Sequence, residues 1–117
     1  MAFTLRWTDE AVKTYQKLEA AARSAHAKRT SGKSRKRTKS TKPEGLFKQI
    51  ANTTRFLRDN PRHPSLHTHE YDSITGMRGE RVWEAYAQNK TPAAYRVFWH
   101  YGPDRQQITV FAITHHP

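Results

Sequence analysis

AYRVFWHYGPDRQQITVFAITHH, from Ala94 to His116, carries two strand patterns and the turn between them. Its first part, Ala94 to Tyr101, is aromatic and β-branched, the composition of a strand. Alternation sets Tyr95, Val97, Trp99 and Tyr101 on one face and Arg96, Phe98 and His100 on the other. GPDRQ has the composition of a hairpin turn, and QITVFAITHH, Gln107 to His116, reads as the next strand. Upstream, RVWEAYA from Arg81 to Ala87 alternates in the same way, with Val82, Glu84 and Tyr86 sharing a face. The intervening QNKTPA is a turn. Strands joined in succession by short turns predict an antiparallel meander.

Working outward, AFTLRW at Ala2 to Trp7 is a short strand with Phe3, Leu5 and Trp7 on one side. Thr8 is an N-cap candidate, and Asp9 and Glu10 suit the positive start of a helix. Ala11, Val12, Tyr15, Leu18, Ala21 and Ala22 then recur at helical spacing to about Ala25. A second helix opens at Pro43 and Glu44 and carries an apolar face of Leu46, Phe47, Ile50, Thr54 and Leu57. Asn60-Pro61 ends it, since a residue before proline avoids the helical region. NPRHPSLHTHEYDSITG, Asn60 to Gly76, reads as the long connection that leaves this helix. The order predicts an α+β fold. An antiparallel sheet of about four strands carries the two N-terminal helices on one face, and its other face is left for water or a ligand.

A chain of 117 residues is one domain's worth, here residues 1–117. The net charge is +11, and Lys28 to Lys42 holds eight Lys or Arg and no acid. The remaining 102 residues set 13 basic side chains against 10 acidic ones. The basic segment has no aliphatic or aromatic residue, so it reads as a mobile insertion at 28–42 and a foothold for a polyanion. With no cysteine, disulfides, zinc–thiolate sites and cysteine nucleophiles are excluded. The opening residues lack the apolar core of a secretory signal, and no stretch has the length of a membrane span. The expected location is the cytoplasm, with no membrane partner.

Five segments, FTLRWTDEAVKTYQKL, FLRDNPRHPSLHTHEY, GERVWEAYA, AAYRVFWHYG and ITVFAITHH, together and in this order, resemble the RelE/ParE superfamily of bacterial toxins. The resemblance runs over nearly the whole chain, with the basic segment as an insertion between the helices. It implies the toxin half of a type II toxin–antitoxin pair. In the RelE-like branch, which the chain resembles more, it implies an mRNA endoribonuclease (an mRNA interferase) that works on the ribosome and inhibits translation. The ribose 2′-hydroxyl attacks the adjacent phosphate, and no cofactor or metal is required. Such chemistry needs a base, an acid and cationic groups for the charge that builds on phosphorus. The implied partners are a cognate antitoxin, the ribosome and mRNA. A ParE-like inhibitor of DNA gyrase is the alternative. A nucleic-acid-binding module that works through its basic arm, and an inactive toxin homologue, are the others.

On this resemblance Arg96 matches the arginine that holds the phosphate, and His115 sits where a catalytic histidine stands near the chain end. The resemblance also leads to a terminal tyrosine, and the chain ends instead in Pro117. His67 and His69 fall in the connection that borders the active cleft. Their spacing puts both on one face of an extended chain, and an imidazole exchanges protons near neutral pH. His63 is read as capping a turn. Arg78, Arg81, Lys90 and His100 are candidate RNA or phosphate contacts, as are Lys33, Arg35, Lys36 and Arg37 of the basic segment. HTHE and HH lack the tight second pair of a zinc site, so no metal is expected.

Overall fold

The computed structural model describes residues 2–31, 42–88 and 94–115. Strand β1, Thr4–Trp7, leads into helix α1, Asp9–Ser31. Helix α2, Lys42–Asp59, is followed by a 3-10 turn at Pro64–Leu66. Strands β2, His69–Thr75, β3, Arg81–Tyr86, β4, Tyr95–Tyr101, and β5, Gln107–His115, complete the chain.

The sheet has five strands in the order β1-β5-β4-β3-β2, and β1 runs parallel to β5. The expectation of about four antiparallel strands is therefore corrected twice. The sheet is mixed, because the first strand inserts beside the last, and local patterning carries no information about that partner. It also has an extra edge strand, β2, inside the stretch read as a connection. Its residues are mostly exposed, and its pairing with β3 shifts register between Glu70 and Thr75. A polar, irregular edge strand lacks the alternation by which strands are recognised.

Thr8 caps α1 as expected: its Oγ1 accepts from the Ala11 N–H at 3.1 Å and donates to the Phe111 carbonyl at 2.7 Å. The cap thus also joins β1 and α1 to β5. Helix α1 runs past Ala25 and takes in Lys28 to Ser31, the first residues of the basic segment. Lysine and arginine are good helix formers, so charge alone does not stop a helix. Gly32 to Thr41, with Lys33, Arg35, Lys36 and Arg37, lie outside the described residues, as does Lys90.

The core forms between the helices and one sheet face. Ile50 and Leu57 of α2 and Ala11 of α1 meet Ala85, Val97, Trp99, Ile108, Val110 and Ile113. Thr53 of α2 donates to the Tyr86 carbonyl at 3.1 Å and ties the helix to the end of β3. The opposite face is not the open surface expected of it. Val82, Glu84, Arg96, Phe98 and His100 are all buried. Tyr71 of β2 lies edge-on against Phe98, with ring centres 5.0 Å apart. No helix among the described residues is long and apolar enough to cross a membrane.

Candidate active site

The 3-10 turn positions the histidines. His63 caps it: its Nδ1 accepts from the Ser65 N–H at 3.1 Å, and its ring stacks on Phe56. His67 closes the turn in the left-handed region, at φ 46° and ψ 40°, with its N–H donating to the Pro64 carbonyl at 3.1 Å. That reversal feeds the chain into β2 beside β3. The rings of His67 and His69 then come to 5.2 and 5.8 Å from the ring of Tyr86.

His69, Glu84 and Arg96 form one chain of ionisable side chains across three neighbouring strands. His69 Nε2 lies 2.6 Å from Glu84 Oε1, and Arg96 Nε lies 3.8 Å from Glu84 Oε2. The pairing follows from register, since His69 stands opposite Glu84 and Tyr86 stands opposite Arg96. Glu84 is wholly buried, the Arg96 side chain is 9% exposed and the His69 side chain is 48% exposed. A buried carboxylate is costly unless it is paired, and here both partners are cation-forming. The Arg96 guanidinium also lies over the Tyr86 ring at 3.7 Å. Its Nη1 donates to the carbonyls of Gln88 and Tyr95.

His69 Nδ1 lies 3.1 Å from the His67 carbonyl, which only accepts, so Nδ1 carries a hydrogen in this contact. Nε2 faces Glu84 Oε1 at 2.6 Å, which sets the ring against the buried carboxylate. His69 is thus a half-exposed imidazole oriented by a buried carboxylate, with an N–H on the side away from that carboxylate. Such a group can donate a proton to a leaving oxygen or take one from a hydroxyl.

The remaining candidates are distributed elsewhere. His115 pairs in register with Tyr95, and their rings lie 4.2 Å apart. Tyr95 packs against the core, so His115 is on the helix-side face, opposite the one that Arg96 enters. The structure does not bring these two together, because adjacent strand positions point to opposite faces. His100 is buried, with its ring Nδ1 2.9 Å from the Tyr101 carbonyl, and is not an exposed phosphate contact. Arg96 is likewise not an exposed clamp, since Glu84, Tyr86 and Gln88 enclose it. Arg78 lies in the β2–β3 turn, and exposed Arg81 lies 3.8 Å from Glu70. Among the described residues, no three His, Asp or Glu side chains converge as a metal site would require.

No family model and no curated protein matches the chain. Solved structures do. A chain of the archaeal RelE–RelB complex from Pyrococcus horikoshii superposes with a TM-score of 0.57 at 12% identity, covering 98% of this chain and 96% of that one. The YoeB/ParE toxin from Agrobacterium tumefaciens gives 0.56 at 14% identity, covering 97% and 99%. The YoeB dimer from Staphylococcus aureus gives 0.56 at 8% identity, covering both chains fully. The chain has the RelE/ParE toxin fold.

Within this toxin fold, identities of 8 to 14% fix the path of the chain and not the site residues. The site therefore stands on its own geometry. Sequence reasoning missed Glu84 and Tyr86 as members of it. The signal was an acid in the middle of RVWEAY, on the same parity as apolar Val82. An acid on a buried parity needs a cationic partner on the next strand, and Arg96 sits on the matching parity.

Proposed function

We propose that the protein is the toxin of a type II toxin–antitoxin pair and an endoribonuclease acting on mRNA held in the ribosome. The observation that carries this reading is half-exposed His69 backed by buried Glu84 and Arg96. His67, exposed two residues earlier, takes the proton from the ribose 2′-hydroxyl. The 2′-oxygen forms a bond to phosphorus, and the bond from phosphorus to the 5′-oxygen breaks. His69 gives its Nδ1 proton to that leaving oxygen, and the substrate replaces the His67 carbonyl at this nitrogen. Glu84 holds the imidazole in orientation, and Arg96 holds Glu84. The products are a 2′,3′-cyclic phosphate and a 5′-hydroxyl. General acid–base catalysis of this kind is worth about 100- to 10,000-fold.

The resemblance to a chain of a RelE–RelB complex supports an antitoxin as partner. For a chain of net charge +11, that partner is an acidic amphipathic segment. Purified protein added to a reconstituted translation reaction, and in parallel to a gyrase supercoiling reaction, tests the reading. Loss of translation with mRNA cut is the expected result. Loss of supercoiling with mRNA intact would overturn it in favour of a gyrase inhibitor.

A further inference from the structure

A second cleft lies beside the histidines, under the 3-10 turn, and the chemistry above makes no use of it. Its volume is about 430 Å³, within the range of small-ligand pockets. Pro61, Pro64, Trp83, Trp99 and Tyr101 give it flat apolar walls. The two indoles lie 6.2 Å apart and nearly parallel, and Tyr101 stands edge-on to Trp99. Trp83 is half-buried and Tyr101 is 42% exposed, so both present ring surface to a ligand. Arg62, His63 and His67 stand around it, and none of its lining residues is acidic.

Trp99 is 1% exposed with its Nε1 buried, so its ring closes the floor of the cleft. His63 presents a donor at the cleft. Its Nδ1 accepts from Ser65, so in the neutral ring the hydrogen is on Nε2. The cleft therefore suits a flat aromatic ligand that carries hydrogen-bond acceptors and is attached to negative charge.

We propose that this cleft is a nucleobase pocket that takes one unpaired base of a single-stranded RNA. The base stacks on Trp83 and Tyr101, a carbonyl or ring nitrogen accepts from His63 Nε2, and exposed Arg62 meets a flanking phosphate. Stacking on aromatic rings tolerates any base, and the His63 donor adds preference for a base with an acceptor at the right edge. His67 links this cleft to the catalytic histidines, since it lines the cleft and also touches Tyr86. The proposal rests on the endoribonuclease reading for one point, that the bound RNA is the strand to be cut.

Binding is tested apart from cleavage, with single-stranded 2′-O-methyl RNA pentamers, which lack the nucleophile, and with tryptophan fluorescence as the signal. Wild-type protein should bind them with quenching, and inorganic polyphosphate should bind without it. His63→Phe, which keeps a ring against Phe56 and removes the donor, should weaken binding about tenfold. Trp83→Ala should weaken it by tenfold or more. Arg62→Ala, at the exposed rim, should weaken binding of pentamers but not of an uncharged nucleoside, and it carries the test if the tryptophan variant fails to fold. Equal quenching by polyphosphate, or pentamer binding unchanged in Arg62→Ala and Trp83→Ala, would overturn the proposal. Ribosomal cleavage without pentamer binding overturns the pocket alone. Pentamer binding with the expected variant losses but without cleavage supports the pocket and refutes the nuclease reading.

Discussion

A carboxylate with none of its surface exposed, such as Glu84, is stable only through what it touches. Glu84→Ala should destabilise the protein by about 3–5 kcal/mol, because Arg96 is left buried without its counter-charge. Urea denaturation checks this, and replacing both partners by methionine should recover most of the loss. His69→Ala is a different case. Its side chain is half exposed, so stability should change little while cleavage falls at least about 100-fold. Stability curves and single-turnover rates on the same preparation separate the two effects. At this scale the sequence was legible in part. The reading of His63 as a turn cap matches its bond from the Ser65 N–H, and residue type alone drew attention to His67, His69 and Arg96. Glu84 did not stand out, because its role depends on β2 and β4 arriving at either side of β3. The face of His115 was not legible, since it is set by the register with Tyr95 and not by a place near the chain end.

The elements show why β2 was missed and the helices were not. Helices α1 and α2 bury a stripe that recurs at helical spacing, and that stripe is local. Strand β2 is held by pairing with β3 and by Tyr71 on Phe98, which are contacts with distant residues. The β2–β3 turn has its own fastening. The Glu80 carboxylate accepts from its own backbone N–H and from the Arg78 N–H, the latter at 2.8 Å. These hydrogen bonds, helped by the charges of His100 and Arg78, hold it below the usual carboxylate value of 4.5. A group whose folded value is lowered adds stability above its unfolded value and loses it as the pH falls through the folded one. Glu80→Gln should therefore be less stable than wild type near neutral pH, and the gap should close below about pH 4.5. Urea midpoints across pH measure the gap, and a gap independent of pH would contradict this role for the carboxylate.

Over the whole molecule, the class of fold was legible because patterning and element order are local, and α+β with two helices before a run of strands held. The mixed sheet was not, since pairing of β1 with β5 joins the two ends of the chain. Charge is the other global property. Gly32 to Thr41 contains Lys33, Arg35, Lys36, Arg37 and Lys39. Exchanging this segment for Gly and Ser residues at equal length should flatten the salt dependence of RNA binding, by up to about 0.7 in log–log slope per contact removed. It should leave the pocket variants' relative effects unchanged, since the segment supplies charge and not base contacts. Titrations at several salt concentrations read both.

The proposed reaction is a metal-independent transesterification that depends on His69, held by Glu84 and Arg96. Mapping the 5′ ends of mRNA cut in a reconstituted translation reaction, with wild-type protein beside His69→Ala, tests it. The cuts should require ribosomes, carry 5′-hydroxyl ends and disappear in the variant. Cuts bearing 5′-phosphates, or cutting by His69→Ala at the wild-type rate, would contradict it.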